Sequence, residues 1–82
     1  MSAATWRRTW PDRPHDFSAS DGDLPIGRVF RIEGGPVDGK WRWTMTASLG
    51  NRLGNSGGTA DSRDHACHAV ETAYVAFRAK SD

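Results

Sequence analysis

The sequence predicts an α+β fold, with a three-stranded antiparallel sheet covered on one face by one C-terminal α-helix. Residues 40–47 alternate bulky apolar and polar side chains at the period of a half-buried strand. Apolar residues then recur at the helical period from about Ser62 to Lys80. A chain of 82 residues supplies one small domain, so one helix over one sheet accounts for its apolar residues.

The first 15 residues show no regular period and contain two prolines, two tryptophans and three arginines. They predict an irregular or partly disordered arm before a single domain over residues 16–82. Trp6 and Trp10 leave a second interpretation open, because residues four apart share one face of a helical turn that could dock on the domain.

The three predicted strands cover residues 16–20, 26–32 and 40–47, and turn or loop residues separate them. The second strand is expected to direct Ile26, Phe30 and Ile32 towards the core. Arg28 falls on that same side near an edge, whereas Val29 and Arg31 fall on the outer side. Residues 49–58 predict a loop, and residues 57–60 either add a short final strand or run into the helix.

Alternation in the third strand places Trp41, Trp43 and Met45 on the core side and its polar residues outside. The helix is expected to start with Asp61 or Ser62 as its N-cap. The predicted buried stripe of the helix is Ala66, Val70, Ala73 and Phe77, flanked by Cys67, Ala69 and Tyr74.

The composition favours a folded cytoplasmic protein that does not enter a membrane. Four tryptophans and three phenylalanines concentrate the apolar area, and the single cysteine cannot form an intramolecular disulfide. The chain contains no run of about 18 apolar residues, and its first residues lack the apolar segment of a secretory signal.

The uncovered face of the predicted sheet is the expected functional surface, because the cations gather in this part of the chain. Residues 24–57 carry five basic side chains against Glu33 and Asp38, a balance of +3 within a total of +1. Such a face could bind the phosphates of DNA or RNA. The nucleic-acid-binding candidates are Arg28, Arg31, Lys40, Arg42 and Arg52. The alternative interpretation is that these are ordinary solubilising residues.

No residue pattern predicts a catalytic site, a metal site or a cofactor site. His65 and His68 share a helix face, but Cys67 points about 100° or more away from each, so the three cannot bind one ion within a regular helix. The glycine pairs at 34–35 and 57–58 match no phosphate-binding loop.

The order of strands and helix, with Gly39-Lys40-Trp41 opening one strand and an Ala-rich helix after Gly58-Thr59, resembles ethylene-response-type DNA-binding domains and the arm-binding domains of tyrosine recombinases. In those families a three-stranded sheet enters the major groove, which implies DNA contacts by the five basic candidates. The chain is also similar to short uncharacterised bacterial β-β-β-α proteins through residues 27–30, Trp41-Arg42-Trp43 and residues 66–77.

The sequence therefore predicts a small non-enzymatic binding module, with the open basic face of its sheet as a nucleic-acid site. The alternative is a protein-interaction domain, a homodimer or an adaptor, that uses an edge strand or the same face and has no nucleic-acid role.

Overall fold

Five strands and one helix follow one another in a computed structural model that describes residues 4–49 and 52–79, with all of their side chains except those of residues 49 and 52. In chain order the elements are β1 (Thr5–Arg8), β2 (Asp16–Asp21), β3 (Leu24–Arg31), β4 (Trp41–Leu49), β5 (Arg52–Ala60) and α1 (Arg63–Ala79). The strands form one antiparallel sheet in the order β1-β2-β3-β4-β5.

The predicted α+β class and its single C-terminal helix agree with the structure, but the prediction of three strands is wrong. β1 lies within the segment predicted as an arm. β5 covers most of the predicted loop together with residues 57–60, for which a short final strand was one of the two expectations. β1 has only four residues, too few to show a period. Trp6 of β1 is tied to the helix, because its indole Nε1 donates a hydrogen bond of 2.7 Å to Glu71 Oε2 on α1.

The glycines of β5 explain why the sequence pattern did not predict this strand, and they also allow it to pack against its neighbours. A β-carbon on Gly54 would lie 3.0 Å from Phe77 Cδ1, and one on Gly58 would lie 3.1 Å from Trp43 Nε1. These glycines therefore leave space for large aromatic side chains of α1 and β4. Low intrinsic strand propensity is overridden by nine regular residue pairs with β4.

A β-bulge in β3 inverts the predicted facing of that strand. Ala19 of β2 is opposite Gly27, whereas the next residue of β2 is opposite Pro25, so Ile26 is the extra residue. Ile26 and Val29 are fully buried. Arg28 and Phe30 consequently lie on the face opposite the helix, and the expectation that Val29 points outward and Phe30 inward is wrong.

Gly27 allows α1 to approach the sheet at this bulge. A β-carbon at this position would lie 2.5 Å from Val70 Cγ1 and 2.6 Å from the Thr44 carbonyl oxygen, which is closer than real side chains come. A glycine inside a strand is typical of a bulge or a close approach, and Gly27 serves both.

The helix begins and packs largely as predicted. The backbone N–H of His65 donates a hydrogen bond of 3.1 Å to Ser62 Oγ, which makes Ser62 the N-cap. The helix packs over β3, β4 and β5. Its buried residues are Ala66, Val70, Tyr74 and Phe77, so Tyr74 replaces the predicted Ala73. Met45 and Ala47 of β4 complete the core beneath it, and Trp41 and Trp43 pack at its margin.

Candidate nucleic-acid interface

One face of the sheet has no helix over it in the part of the chain that the structure describes, and we name it the open face. Strand alternation and the register assign to it Arg28 and Phe30 of β3, Arg42 and Thr44 of β4, and Ser18 of β2. Phe30 lies directly opposite Arg42, and Arg28 lies directly opposite Thr44. The centre of the open face therefore combines one aromatic ring, two guanidinium groups and hydroxyl groups.

Arg28 is held in place by a carboxylate and an aromatic ring. Its Nε donates a hydrogen bond of 2.8 Å to Asp16 Oδ1, and its Nη2 also donates to Asp16 Oδ2. The guanidinium carbon lies 4.9 Å from the centroid of the Phe30 ring, in cation–π distance. Asp16 is only 5% exposed. The Arg28 side chain is therefore preorganised across the centre of the open face, and its positive charge is paired with the carboxylate of Asp16.

The ion pair sets the charge state of Asp16. The hydrogen bond from Arg28 is the largest influence and lowers the pKa of Asp16, against the opposing effect of burial. A hydrogen bond from Thr9 lowers this pKa further. Asp16 is consequently ionised at neutral pH and keeps Arg28 in its fixed position.

Arg42 differs from Arg28 because its charge is not consumed within the sheet. Its side chain is exposed, and it forms no salt bridge within residues 4–49 and 52–79. Cross-strand neighbours are Phe30 on one side and Thr59 on the other. Arg42 is thus available to an incoming anion in a way that the paired Arg28 is not.

Arg7 extends the positive charge towards the β1 edge. It lies opposite Ser18, whose hydroxyl is 2.7 Å from that of Thr9. Both hydroxyl-bearing residues are on the open face by alternation. With Arg7, Arg28 and Arg42 against Asp16, the face carries three cations and one anion, a balance of +2.

Among the side chains that the structure describes, two of the five predicted contact residues lie on the open face. Arg28 and Arg42 are on the open face, whereas alternation places Arg31 on the opposite side of β3, at the strand end. Lys40 lies just before β4 and its Nζ is 2.5 Å from Asp61 Oδ1, an exposed pair that also lowers the pKa of Asp61. Arg52 opens β5, but its side chain is outside the described residues.

Arg31 lines a cavity of about 580 Å³ that is also lined by Arg28 and Phe30 and therefore extends onto the open face. The charged residues that line it are Asp12, Arg13, Asp16, Arg28, Arg31 and Glu33. Three cations face three carboxylates there, so the cavity has no net charge to attract phosphate. It is a weaker anion site than the surface around Arg42.

Phe30 and Arg7 are the functional candidates that sequence reasoning missed. Simple alternation assigns Phe30 to the core because it does not allow for a bulge. The sequence feature that indicates the bulge is Gly27, a glycine inside the strand. Arg7 was placed in an arm, and four residues of β1 give no period from which a facing could be derived.

The cysteine and the histidines of the helix form no reactive or metal-binding site in the described residues. Burial raises the pKa of the Cys67 thiol to about 11, so the thiol stays protonated at neutral pH. No cluster of three histidine, cysteine, aspartate or glutamate side chains that could hold a metal occurs within residues 4–49 and 52–79. Within the same ranges, no helix is both long and apolar enough to cross a membrane.

No family model, curated protein or solved structure matches this chain. The resemblance to β-β-β-α DNA-binding domains therefore stays a prediction, and the strand number on which it rested is corrected by the five-stranded sheet.

Proposed function

We propose that this protein is a non-enzymatic module that binds single-stranded nucleic acid across its open face. The observation that carries the proposal is the juxtaposition of Phe30 with Arg42 directly opposite it and Arg28 stacked on its ring. Aromatic rings on a sheet stack with bases, and adjacent guanidinium groups bind the phosphates. Hydroxyl groups of Ser18 and Thr44 add hydrogen-bonding partners beside the ring.

The width of the sheet favours a single strand over a duplex groove. Five strands at a spacing of about 4.8 Å span about 19 Å, and the major groove of B-DNA is about 12 Å wide. A three-stranded sheet, at about 10 Å, would fit the groove. The two additional strands therefore change the favoured ligand from the major groove of DNA to an unpaired strand that lies across the face.

The proposal is tested by fluorescence anisotropy with a short labelled single-stranded oligonucleotide and its duplex, each over a range of salt concentrations. We expect the single strand to bind more tightly, with affinity falling by about 0.7 log units per log unit of salt for each phosphate contacted. Arg42→Glu should weaken binding and make this slope shallower by about one phosphate.

Arg63→Glu is the matched control, because it makes the same charge change on the helix side of the sheet. Arg63 is exposed and its guanidinium lies 5.1 Å from the Phe17 ring, away from the open face. The affinity of the Arg63→Glu variant for the single-stranded oligonucleotide should stay close to that of the unmodified chain. Equal losses in both variants would indicate attraction to overall charge and would contradict a site on the open face.

A further variant separates stacking from charge. Phe30→Leu keeps an apolar side chain but removes the ring, and we expect a loss of about 1–3 kcal/mol in binding free energy with an unchanged salt slope. Thermal unfolding of the same variant checks that the sheet remains intact. Unchanged affinity in a folded Phe30→Leu protein would remove the ring from the proposed site.

The protein-interaction alternative concerns a different surface. Its supporting observation is the long free edge of β5, which does not overlap the cluster around Phe30.

A further inference from the structure

The two edges of the sheet differ in length and in protection. β1 forms one edge with four residues, and β5 forms the other with nine. An edge strand exposes unpaired N–H and C=O groups, which natural proteins usually guard with charges, prolines, bulges or a short strand. β5 is long, and it pairs with β4 over nine successive residues without a register shift.

The hydrogen-bonding pattern shows which residues of β5 direct their backbone to the free edge. The Arg31 N–H donates to the His15 carbonyl, so odd-numbered residues of β3 hydrogen-bond with β2 and even-numbered ones with β4. The Thr9 N–H to Asp16 carbonyl bond agrees with this phase from the β1 side. Carrying the alternation across β4 assigns the even-numbered residues of β5 to bonds with β4.

The backbone groups that point away from the sheet therefore belong to the odd-numbered residues. These are Leu53, Asn55, Gly57 and Thr59. They present four N–H donors and four C=O acceptors at alternating positions. The side chain of Leu53 is 81% exposed beside them.

From Leu53 to Ala60 this edge has none of the usual protections, and the charged residue of β5 is Arg52, at the start of the strand. Residues 53–60 include no proline and no charged side chain, and the strand has no bulge. Three of these eight residues are glycine, so little side-chain bulk stands between the backbone and an approaching strand. The edge is consequently open to a partner that supplies an extended backbone.

We propose that this partner is a second copy of the chain, paired antiparallel through β5 about a twofold axis at Ser56. In that register Leu53 lies opposite Thr59 of the second copy and Asn55 lies opposite Gly57, and each pairing occurs twice. All eight free backbone groups are then satisfied by four hydrogen-bonded residue pairs. Any other twofold register leaves some of them unpaired.

Self-pairing fits this edge better than capture of a foreign peptide. Peptide recognition at a sheet edge takes its specificity from a series of pockets for alternate side chains. A cavity of about 410 Å³ lined by Leu53, Gly54 and Asn55 lies at one end of β5, and further along the strand Gly57 and Gly58 have no side chains to form pocket walls. A twofold arrangement needs no such pockets, because a strand is complementary to itself in its backbone hydrogen bonds. The uncharged stretch also meets its copy without repulsion between like charges.

The pairing would create a ten-stranded sheet with both helices on one side and both open faces on the other. Phe30 of the two copies would be separated by five strand spacings across the sheet, about 24 Å, and by six residues along the strands, about 20 Å. This arrangement does not depend on the proposed nucleic-acid function, since it uses backbone groups of β5 alone.

The test is the mass of the protein in solution, measured by sedimentation or by light scattering over a wide concentration range in high salt without nucleic acid. We expect a reversible shift from one to two chain masses. Asn55→Pro removes an N–H from the free edge and leaves the bonds to β4, so the folded variant should remain at one chain mass. The matched control Asn55→Ser keeps that N–H and should still dimerise.

Amide hydrogen exchange gives a second measurement if Asn55→Pro does not fold. In the unmodified chain, the amides of Asn55, Gly57 and Thr59 should exchange markedly more slowly at dimer-forming concentrations than at low concentration. A single chain mass at every concentration, or a dimer whose edge amides exchange at the same rate as in dilute protein, would overturn the proposal. A folded Asn55→Pro variant that dimerises fully would overturn it as well.

Discussion

The two faces of the sheet are built from alternate residues of the same strands, yet they have opposite properties. On the covered face, Val29 and Met45 are buried beneath Val70 and Phe77 of the helix. On the open face, Arg28 and Arg42 of the same two strands remain exposed. The comparison shows that a shift of one residue in the alternation of β3 determines whether Arg28 or Val29 faces the core. In this protein the bulge at Ile26 produces that shift.

We expect the largest difference in unfolding free energy between the two faces when adjacent residues of β4 are replaced by alanine. Met45 is 2% exposed beneath the helix, so Met45→Ala should lower the free energy of unfolding by about 2–4 kcal/mol through lost burial and a cavity. Thr46→Ala on the open face should change it by about 0.5 kcal/mol or less. Urea denaturation of both variants measures the difference, and similar losses would mean that both faces are buried in solution.

The next effect concerns Asp16, the buried charge that supports the open face. Asp16→Asn should lower the free energy of unfolding at neutral pH by about 1–3 kcal/mol, because the charge-assisted hydrogen bonds from Arg28 are weakened. Denaturation by urea at pH 7 measures this loss. An unchanged free energy of unfolding would show that the ion pair does not stabilise the fold.

Acidification gives the same interaction a second readout. Arg28 holds the pKa of Asp16 below its ordinary value of 3.8, so the carboxylate contributes stability above that pH. The contribution is lost as the pH falls further, through the lower pKa of the folded state. Asp16→Asn should therefore reduce the dependence of unfolding free energy on pH below about 3.8, and an identical acid profile for both proteins would contradict the assignment.

A smaller effect is expected at the edge of the covered face. The Tyr74 hydroxyl donates a hydrogen bond of 2.6 Å to Asp21 Oδ2, which ties α1 to the end of β2. Burial, with this bond, raises the pKa of Tyr74. Tyr74→Phe should cost about 1 kcal/mol in unfolding free energy, measured by thermal or urea denaturation. A loss as large as that for Met45→Ala would contradict the contribution of an ordinary hydrogen bond that we assign to this hydroxyl.

The smallest effect on stability should come from the residue with the largest proposed effect on binding. Arg42 is exposed and unpaired within the described residues, so Arg42→Glu should change the unfolding free energy by about 0.5 kcal/mol or less. Denaturation of the purified variant checks this expectation. Marked destabilisation would show that Arg42 supports the fold and that its loss of binding is indirect.

Local periodicity predicted the parts of the fold that obey it. The Trp41-to-Met45 alternation and the Ala66, Val70, Phe77 stripe identified β4 and the buried side of α1. β5 escaped because its glycines carry no hydrophobic signal, although they are needed where Phe77 and Trp43 approach the strand. Its pairing is set by tertiary contacts that no local window contains.

The candidate site was predicted only in part for the same reason. Arg42 followed correctly from regular alternation, whereas Arg31 and Phe30 were exchanged between faces by the bulge at Ile26. The pairing of Lys40 with Asp61 joins residues 21 apart in sequence and depends on the β4–β5 register. A sequence gives the residue types of such a surface, but long-range pairing decides which of them meet.

The central claim is that the open face, and not the helix side, receives a nucleic acid strand. It is tested most directly by NMR titration of the labelled protein with a short single-stranded oligonucleotide at two salt concentrations. We expect the largest amide shifts at Arg28, Phe30, Arg42 and Thr44, with weaker binding at the higher salt concentration. Shifts centred on exposed residues of α1, or no shifts at the lower salt concentration, would contradict the account.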